Sequence, residues 1–163
     1  VEINERKEKI NLLQMKSKRN TIIKEMKIKD IHLTLDSFLE PQHSYDLLGD
    51  LFNKIDKPVE YKEEFKFGHC KDKAAKELRL LYKKIPKQLQ EKKVILFHLN
   101  YRETGAIFLR LEDIFRDINW IVNFSGYSNG AFDFIVVDPT FNYGICIERF
   151  EYWDTFTIWG LFN

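Results

Sequence analysis

Phe132-Asp133-Phe134-Ile135-Val136-Val137-Asp138-Pro139-Thr140-Phe141-Asn142-Tyr143-Gly144-Ile145-Cys146-Ile147-Glu148-Arg149-Phe150-Glu151-Tyr152-Trp153 reads as a β-hairpin. Phe134–Val137 and Ile145–Ile147 are β-branched or aromatic runs, the composition that strands favour. Asp138-Pro139 starts a turn between them, and Gly144 supplies backbone freedom where pairing resumes. Acids at Asp133, Asp138, Glu148, Glu151 and Asp154 punctuate the apolar residues. A core strand has no use for them, so they are expected at a surface. The hairpin is thus read as both the centre of the core and the bearer of an acidic, aromatic face.

Working outward, 163 residues suffice for one domain with a proper core, taken here as 1–163, with 1–29 as a basic helical N-terminal extension. Apolar content is 44% and aromatic content 15%, which argues against disorder away from the termini. No apolar run reaches the roughly 18 residues a membrane span needs, and the charged start Val1-Glu2-Ile3-Asn4-Glu5-Arg6 is unlike a signal peptide. Two cysteines, Cys70 and Cys146, make a poor disulfide framework, and the expected compartment is the cytoplasm. The net charge of +1 conceals an asymmetry. Residues 1–93 carry 22 Lys+Arg against 16 Asp+Glu, while residues 94–163 carry four Arg, no Lys and nine acids. An acidic, aromatic C-terminal part repels nucleic acid and suits a basic protein partner. Scarcity of Lys in a mostly buried sheet explains the same counts.

In chain order, residues 2–27 read as a helix with Glu2→Arg6 and Glu5→Lys9 at i,i+4 spacing. Ile31–Leu35 alternates as a short strand would. Ser44 stands as an N-cap before Leu48, Leu51, Phe52 and Ile55, and Pro58 ends that helix. Residues 59–70 read as irregular or briefly extended. Asp72 opens a helix carrying Ala74, Ala75, Leu78, Leu81, Tyr82 and Ile85, stopped by Pro86. Val94–Leu99 reads as a strand buried on both faces, and Ala106–Leu111 as its antiparallel neighbour. Asp113 begins a helix that Gly126 closes, and Thr155–Gly160 alternates as a last strand. The fold class expected is α+β: N-terminal helices, then a mostly antiparallel sheet with one inserted helix.

No catalytic motif is present. His69 and Cys70 are adjacent, but paired zinc-ligand spacings are absent, and His98 and Cys146 sit in apolar strands as core residues would. No metal and no cofactor are expected. Asp133 with Asp138, or Glu148 with Glu151, could form an acid/base pair, yet charges that discourage edge pairing explain them equally. The loop 125–130 lacks a phosphate-binding pattern. Trp159 reads as core. Trp153, flanked by Glu151 and Asp154, has the make-up of a protein-binding hot spot.

The runs Phe124–Phe134 and Tyr143–Tyr152, the ending Ile158-Trp159-Gly160, and upstream Ile31–Leu35, His43-Ser44-Tyr45 and Phe65-Lys66-Phe67-Gly68 resemble YxiF-like proteins encoded beside bacterial polymorphic toxins. The helix–Gly loop–strand rhythm is also similar to the SMI1/KNR4 immunity superfamily, from which the long helical N-terminal third departs. The resemblance implies an immunity protein that binds a toxin C-terminal domain and performs no chemistry. Many such toxin domains are basic nucleases, which an acidic face would steer and fill. The contacts expected are Asp133, Asp138, Glu148, Glu151, Tyr152, Trp153 and Asp154, although Glu148 and Glu151 have opposite strand parity. Two rivals stand beside this reading. One is a nucleic-acid-binding module using Lys16, Lys18, Arg19, Lys24 and Lys27; the other is a hydrolase using the carboxylates.

Overall fold

The structure is a computed structural model that describes residues 1–56, 62–69 and 71–162, with the side chains of 62–65 and 71 left aside. The predicted stop at Pro58 and the residue Cys70 lie outside the described residues. Six strands form one sheet: β1 (Lys62–Phe67), β2 (Lys93–Phe97), β3 (Ile107–Arg110), β4 (Phe134–Val137), β5 (Gly144–Arg149) and β6 (Asp154–Trp159). Their order is β1-β6-β5-β4-β2-β3, and every pairing is antiparallel. The helices are α1 (Glu2–Ile28), α2 (Pro41–Ile55), α3 (Lys71–Tyr82), α4 (Lys87–Gln90), α5 (Tyr101–Thr104), α6 (Leu111–Arg116) and α7 (Ile118–Ser125). The α+β class follows.

The hairpin read first from the sequence sits at the centre. Phe134 pairs with Ile147 and Val137 with Gly144. All four residues of β4 are buried, as are Val94–Phe97 of β2, because the sheet is covered on both faces. On one face Leu96, Val136, Ile145 and Phe156 pack with Met26, Leu78, Ile114 and Ile121 from α1, α3, α6 and α7. On the other, Ile95, Ile135, Cys146 and Trp159 pack with Leu48, Leu51 and Ile55 of α2. The alternation of strand side chains sorts the two sets. Trp159 is core, as its position suggested.

Three details depart from the sequence reading. Ile31–Leu35 is not a strand: Ile31 and Leu33 are buried, but the backbone N–H of Thr34 donates to Oγ of Ser37, and residues 35–37 close into a 3-10 turn. The helix assigned to Ser44 begins earlier, with Glu40 as N-cap and Pro41 in the first turn. Ser44 instead lies buried, giving its hydroxyl proton to the Glu40 carbonyl and accepting from the Ala106 N–H. The inserted helix is two, broken at Asp117 (φ −139°, ψ 73°), whose side chain caps the Trp120 N–H. Gly126, at φ 97°, closes α7 as read. Of the two readings left open for 59–70, the extended one holds at 62–67, a strand paired from Lys62 opposite Trp159 to Phe67 opposite Asp154.

Only the C-terminal half of α1 joins the body. Residues 1–14 are exposed throughout, and Arg19, Ile22 and Met26 are the helix's buried residues. Arg19 donates to the carbonyls of Thr104 and Leu39, which ties α1 to α5 and to the turn before α2. No helix among the described residues is long and apolar enough to cross a membrane.

Candidate functional site

The turn that joins β5 to β6 carries three exposed aromatic residues in a row of four. The Phe150 N–H donates to the Trp153 carbonyl (2.9 Å), so four residues reverse the chain. Phe150, Tyr152 and Trp153 are 47%, 72% and 40% exposed, and the Tyr152 and Trp153 rings lie 6.4 Å apart. The Lys66 ammonium sits 5.0 Å from the Trp153 ring. Rings held outward at a strand turn, with few internal contacts, are the material from which protein-binding hot spots are made.

A buried polar cluster supports this tip. The Asp154 carboxylate is fully enclosed; it accepts from Tyr127 Oη (2.5 Å) and Arg149 Nε (3.2 Å), and His69 Nδ1 lies 3.0 Å from it. The other ring nitrogen of His69 lies 3.0 Å from the Glu151 carbonyl oxygen. The imidazole therefore bridges the base of the hairpin and its turn, from a position just past the end of β1. Burial raises the Tyr127 hydroxyl above its ordinary range, and the bond to Asp154 adds to it. Arg149 also stacks its guanidinium 4.7 Å from the Tyr127 ring. A buried carboxylate paired with a guanidinium and bonded by a phenol meets the condition under which an enclosed charge is tolerated.

The seven acids and rings singled out in the sequence divide. Glu151, Tyr152 and Trp153 share the exposed tip. Asp154 must be corrected: it is not a surface acid, because Tyr127, Arg149 and His69 enclose it from below the tip. Asp133 is half-buried beside it and accepts from the Arg149 N–H (3.1 Å). Burial raises the Asp133 carboxyl, and that bond only partly opposes the rise. Glu148 is half-buried and points to the α2 side of the sheet, opposite Asp154 across the alternation. Asp138 lies at the other end of β4, about 17 Å from Asp133 at roughly 3.3 Å per residue. Its carboxylate is taken up by its own loop, accepting from the Thr140 N–H and hydroxyl and the Asn142 N–H. The acidic face thus contracts to Glu151 and part of Glu148. Phe150, His69, Tyr127 and Arg149 were missed. Phe150 stood next to the chosen residues, whereas nothing in the local sequence ties His69 to a turn 82 residues away.

The basic residues weighed for nucleic acid also divide. Arg19 is buried, and Lys18 pairs with Glu103 at 2.8 Å. Lys16, Lys24 and Lys27 remain exposed on α1. His98 is a core histidine. It takes the Asn100 N–H at Nδ1 and donates from Nε2 to the Gly105 carbonyl (3.0 Å), which fixes its neutral tautomer. Its burial lowers the imidazole to about 4. Among the described residues no group of His, Cys, Asp and Glu is placed to hold a metal ion.

Comparison with curated proteins and with solved structures returns no match. A family model described as "YxiF protein" matches residues 22–159, which takes in the C-terminal part of α1, all six strands and the hairpin tip. The chain belongs to the YxiF family, an immunity-type family similar to SMI1/KNR4.

Proposed function

We propose that this protein is an immunity protein that binds a cognate toxin domain through the β5–β6 tip and keeps it inactive, with no chemistry of its own. The observation that carries the reading is the tip itself: Phe150, Tyr152 and Trp153 project from a turn whose backbone is pinned by His69. Membership of an immunity-type family supports a toxin domain as the class of partner. A pinned turn loses little conformational freedom on binding, which favours tight association. The rings supply the contact area, and Glu151 supplies the exposed charge that would steer a basic domain such as a nuclease. Inhibition of this kind proceeds in the cytoplasm of the producing cell.

The test has two stages. The tagged protein is recovered from its own cells, and what co-purifies is identified by mass spectrometry. The recovered protein is then expressed alone and together with this chain. Growth arrest by the first and rescue by the second is the expected result, with rescue lost in a Tyr152→Ala/Trp153→Ala double variant. Rescue that persists undiminished in the double variant would move the interface elsewhere. A recovered protein that is harmless alone would end the immunity reading.

A further inference from the structure

The outer side of α3 and the segment that follows it are crowded with positive charge. Residues 73–93 hold eight Lys or Arg, all exposed, against two Glu. α3 buries Ala74, Leu78 and Leu81 in the core. Lys73, Lys76, Leu80 and Lys83 follow one another at steps of three and four residues on the opposite side. Lys83 stands just past the printed end of α3, but its N–H still donates to the Arg79 carbonyl, so the helical row continues through it. Lys84, Lys87 and Lys92 carry the charge on through α4 to the start of β2.

Little within the molecule offsets this charge. Lys73 rests on the Phe67 ring and Lys93 on the Phe108 ring. The ammonium groups of Lys76, Lys83, Lys84, Lys87 and Lys92 have no hydrogen bond, ion pair or ring contact among the described residues. Asp72 and Glu77 stand one helical turn from Lys76 and Lys73, the spacing of an ion pair, and neither closes one. Like charges one turn apart, as at Lys73 and Lys76, Lys76 and Arg79, and Arg79 and Lys83, weaken the helix that carries them. The helix dipole offsets this in the last turn of α3, but it does not reach Lys76, Lys87 or Lys92.

We propose that residues 76–92 form a binding surface for the phosphodiester chain of a nucleic acid, contacted by Lys76, Lys83, Lys84, Lys87 and Lys92. A flexible ammonium takes phosphate as a point charge, and release of counterions from the polyanion drives the association. An acidic protein fits this surface less well, because protein interfaces are poor in Lys and rich in Arg and aromatic residues, and these five are all Lys. A bilayer fits less well too: α3 spends its apolar side on the core and has only Leu80 in its outer row to insert. On α1 the charge is less available. Its first nine residues balance three bases with three acids, Arg19 is buried, and Lys18 and Lys29 are paired, which leaves Lys16, Lys24 and Lys27. The surface is separate from the β5–β6 tip and stands without the reading given to it.

The test titrates the whole protein into a fluorescein-labelled single-stranded RNA of about 20 nucleotides, and into DNA of the same sequence, and follows anisotropy. Both strands should bind at about 50 mM salt and about fiftyfold more weakly at about 200 mM, a slope of log K against log salt near −3. A Lys76→Gln/Lys83→Gln/Lys87→Gln/Lys92→Gln variant should bind at least about tenfold more weakly at the lower salt and lose most of the slope. All four positions are exposed, so its circular dichroism should match that of the parent. Lys16→Gln/Lys24→Gln/Lys27→Gln should stay within about twofold of the parent. No binding of either strand at low salt, binding indifferent to salt, an equal loss in the α1 variant, or binding to phosphatidylserine vesicles without binding to the oligonucleotides would each overturn the proposal.

Discussion

His69 Nδ1 lies 3.0 Å from Oδ1 of Asp154, a carboxylate with no exposed surface, while its other nitrogen reaches the turn above it. One imidazole thereby couples an enclosed charge to an exposed aromatic tip. Replacing His69 by Ala should free the Glu151 carbonyl and loosen the turn. Amide hydrogen exchange at Phe150, whose N–H closes the turn, should quicken in the variant while exchange in β4 stays unchanged. Equal protection at Phe150 in both proteins would show that His69 does not hold the tip.

Asp154 acts through folding rather than through contact with a partner. Asp154→Ala leaves the Arg149 guanidinium and the Tyr127 hydroxyl without their acceptor in a buried place. Breaking such a pair costs about 3–5 kcal/mol, to be read from urea denaturation. Glu151→Ala, at an exposed position, should stay within about 0.5 kcal/mol of the parent. Glu151→Lys should instead slow association with a basic partner, whereas Trp153→Ala should speed dissociation.

His98 sets an acid limit to stability. Its imidazole takes up a proton near 6.5 when unfolded but only near 4 in the fold, because burial opposes the charge. The folded state binds the proton less readily, so its contribution is complete above about pH 6.5 and is lost as pH falls toward 4. At 1.36 kcal/mol per unit this is about 3 kcal/mol. Denaturation midpoints followed across that window should fall, and the slope should flatten in a His98→Phe variant.

Gly105 is held where no side chain fits. Its φ is +84°, and an added Cβ would stand 1.6 Å from the Leu39 carbonyl oxygen, which itself accepts from Arg19. Gly105→Ala should destabilise by about 2–4 kcal/mol, through backbone that must move and an arginine bond that must lengthen. Thermal melting of the variant checks this.

Removal of residues 1–14 should leave the fold intact. Every residue of that segment is exposed, and the first buried side chain of α1 is Arg19. Circular dichroism should lose helix in proportion to the deletion, with little change in melting temperature.

What could be read from the sequence was whatever local pattern decides. Phe134–Val137 and Ile145–Ile147 announce their strands because both faces of the sheet are covered, so no polar residue interrupts them. Gly126 announces the end of α7 because a left-handed residue must stand there. The strand Lys62–Phe67 was legible only as one of two alternatives, since an edge strand carries charges that blur its alternation. Ile31–Leu35 misled because the Ser37 side chain competes with pairing, a local bond that period-two counting ignores. Of the candidate site, the exposed rings were legible and the fate of the acids was not. Asp154 is enclosed by partners at positions 69, 127 and 149, and no spacing rule connects residues that meet only after the sheet is built.

The strand order also bears on how the chain assembles. β4, β5 and β6 follow one another and pair as neighbours, as do β2 and β3, so these units can form soon after they are made. β1 is made long before them, yet its one neighbour in the sheet is β6, with Lys62 opposite Trp159 near the far end of the sequence. During synthesis β1 must wait, unpaired, until the last strand has left the ribosome. Its charged sequence, Lys62-Glu63-Glu64-Phe65-Lys66-Phe67, is suited to that wait, because such a segment resists pairing with other nascent chains until its proper neighbour arrives.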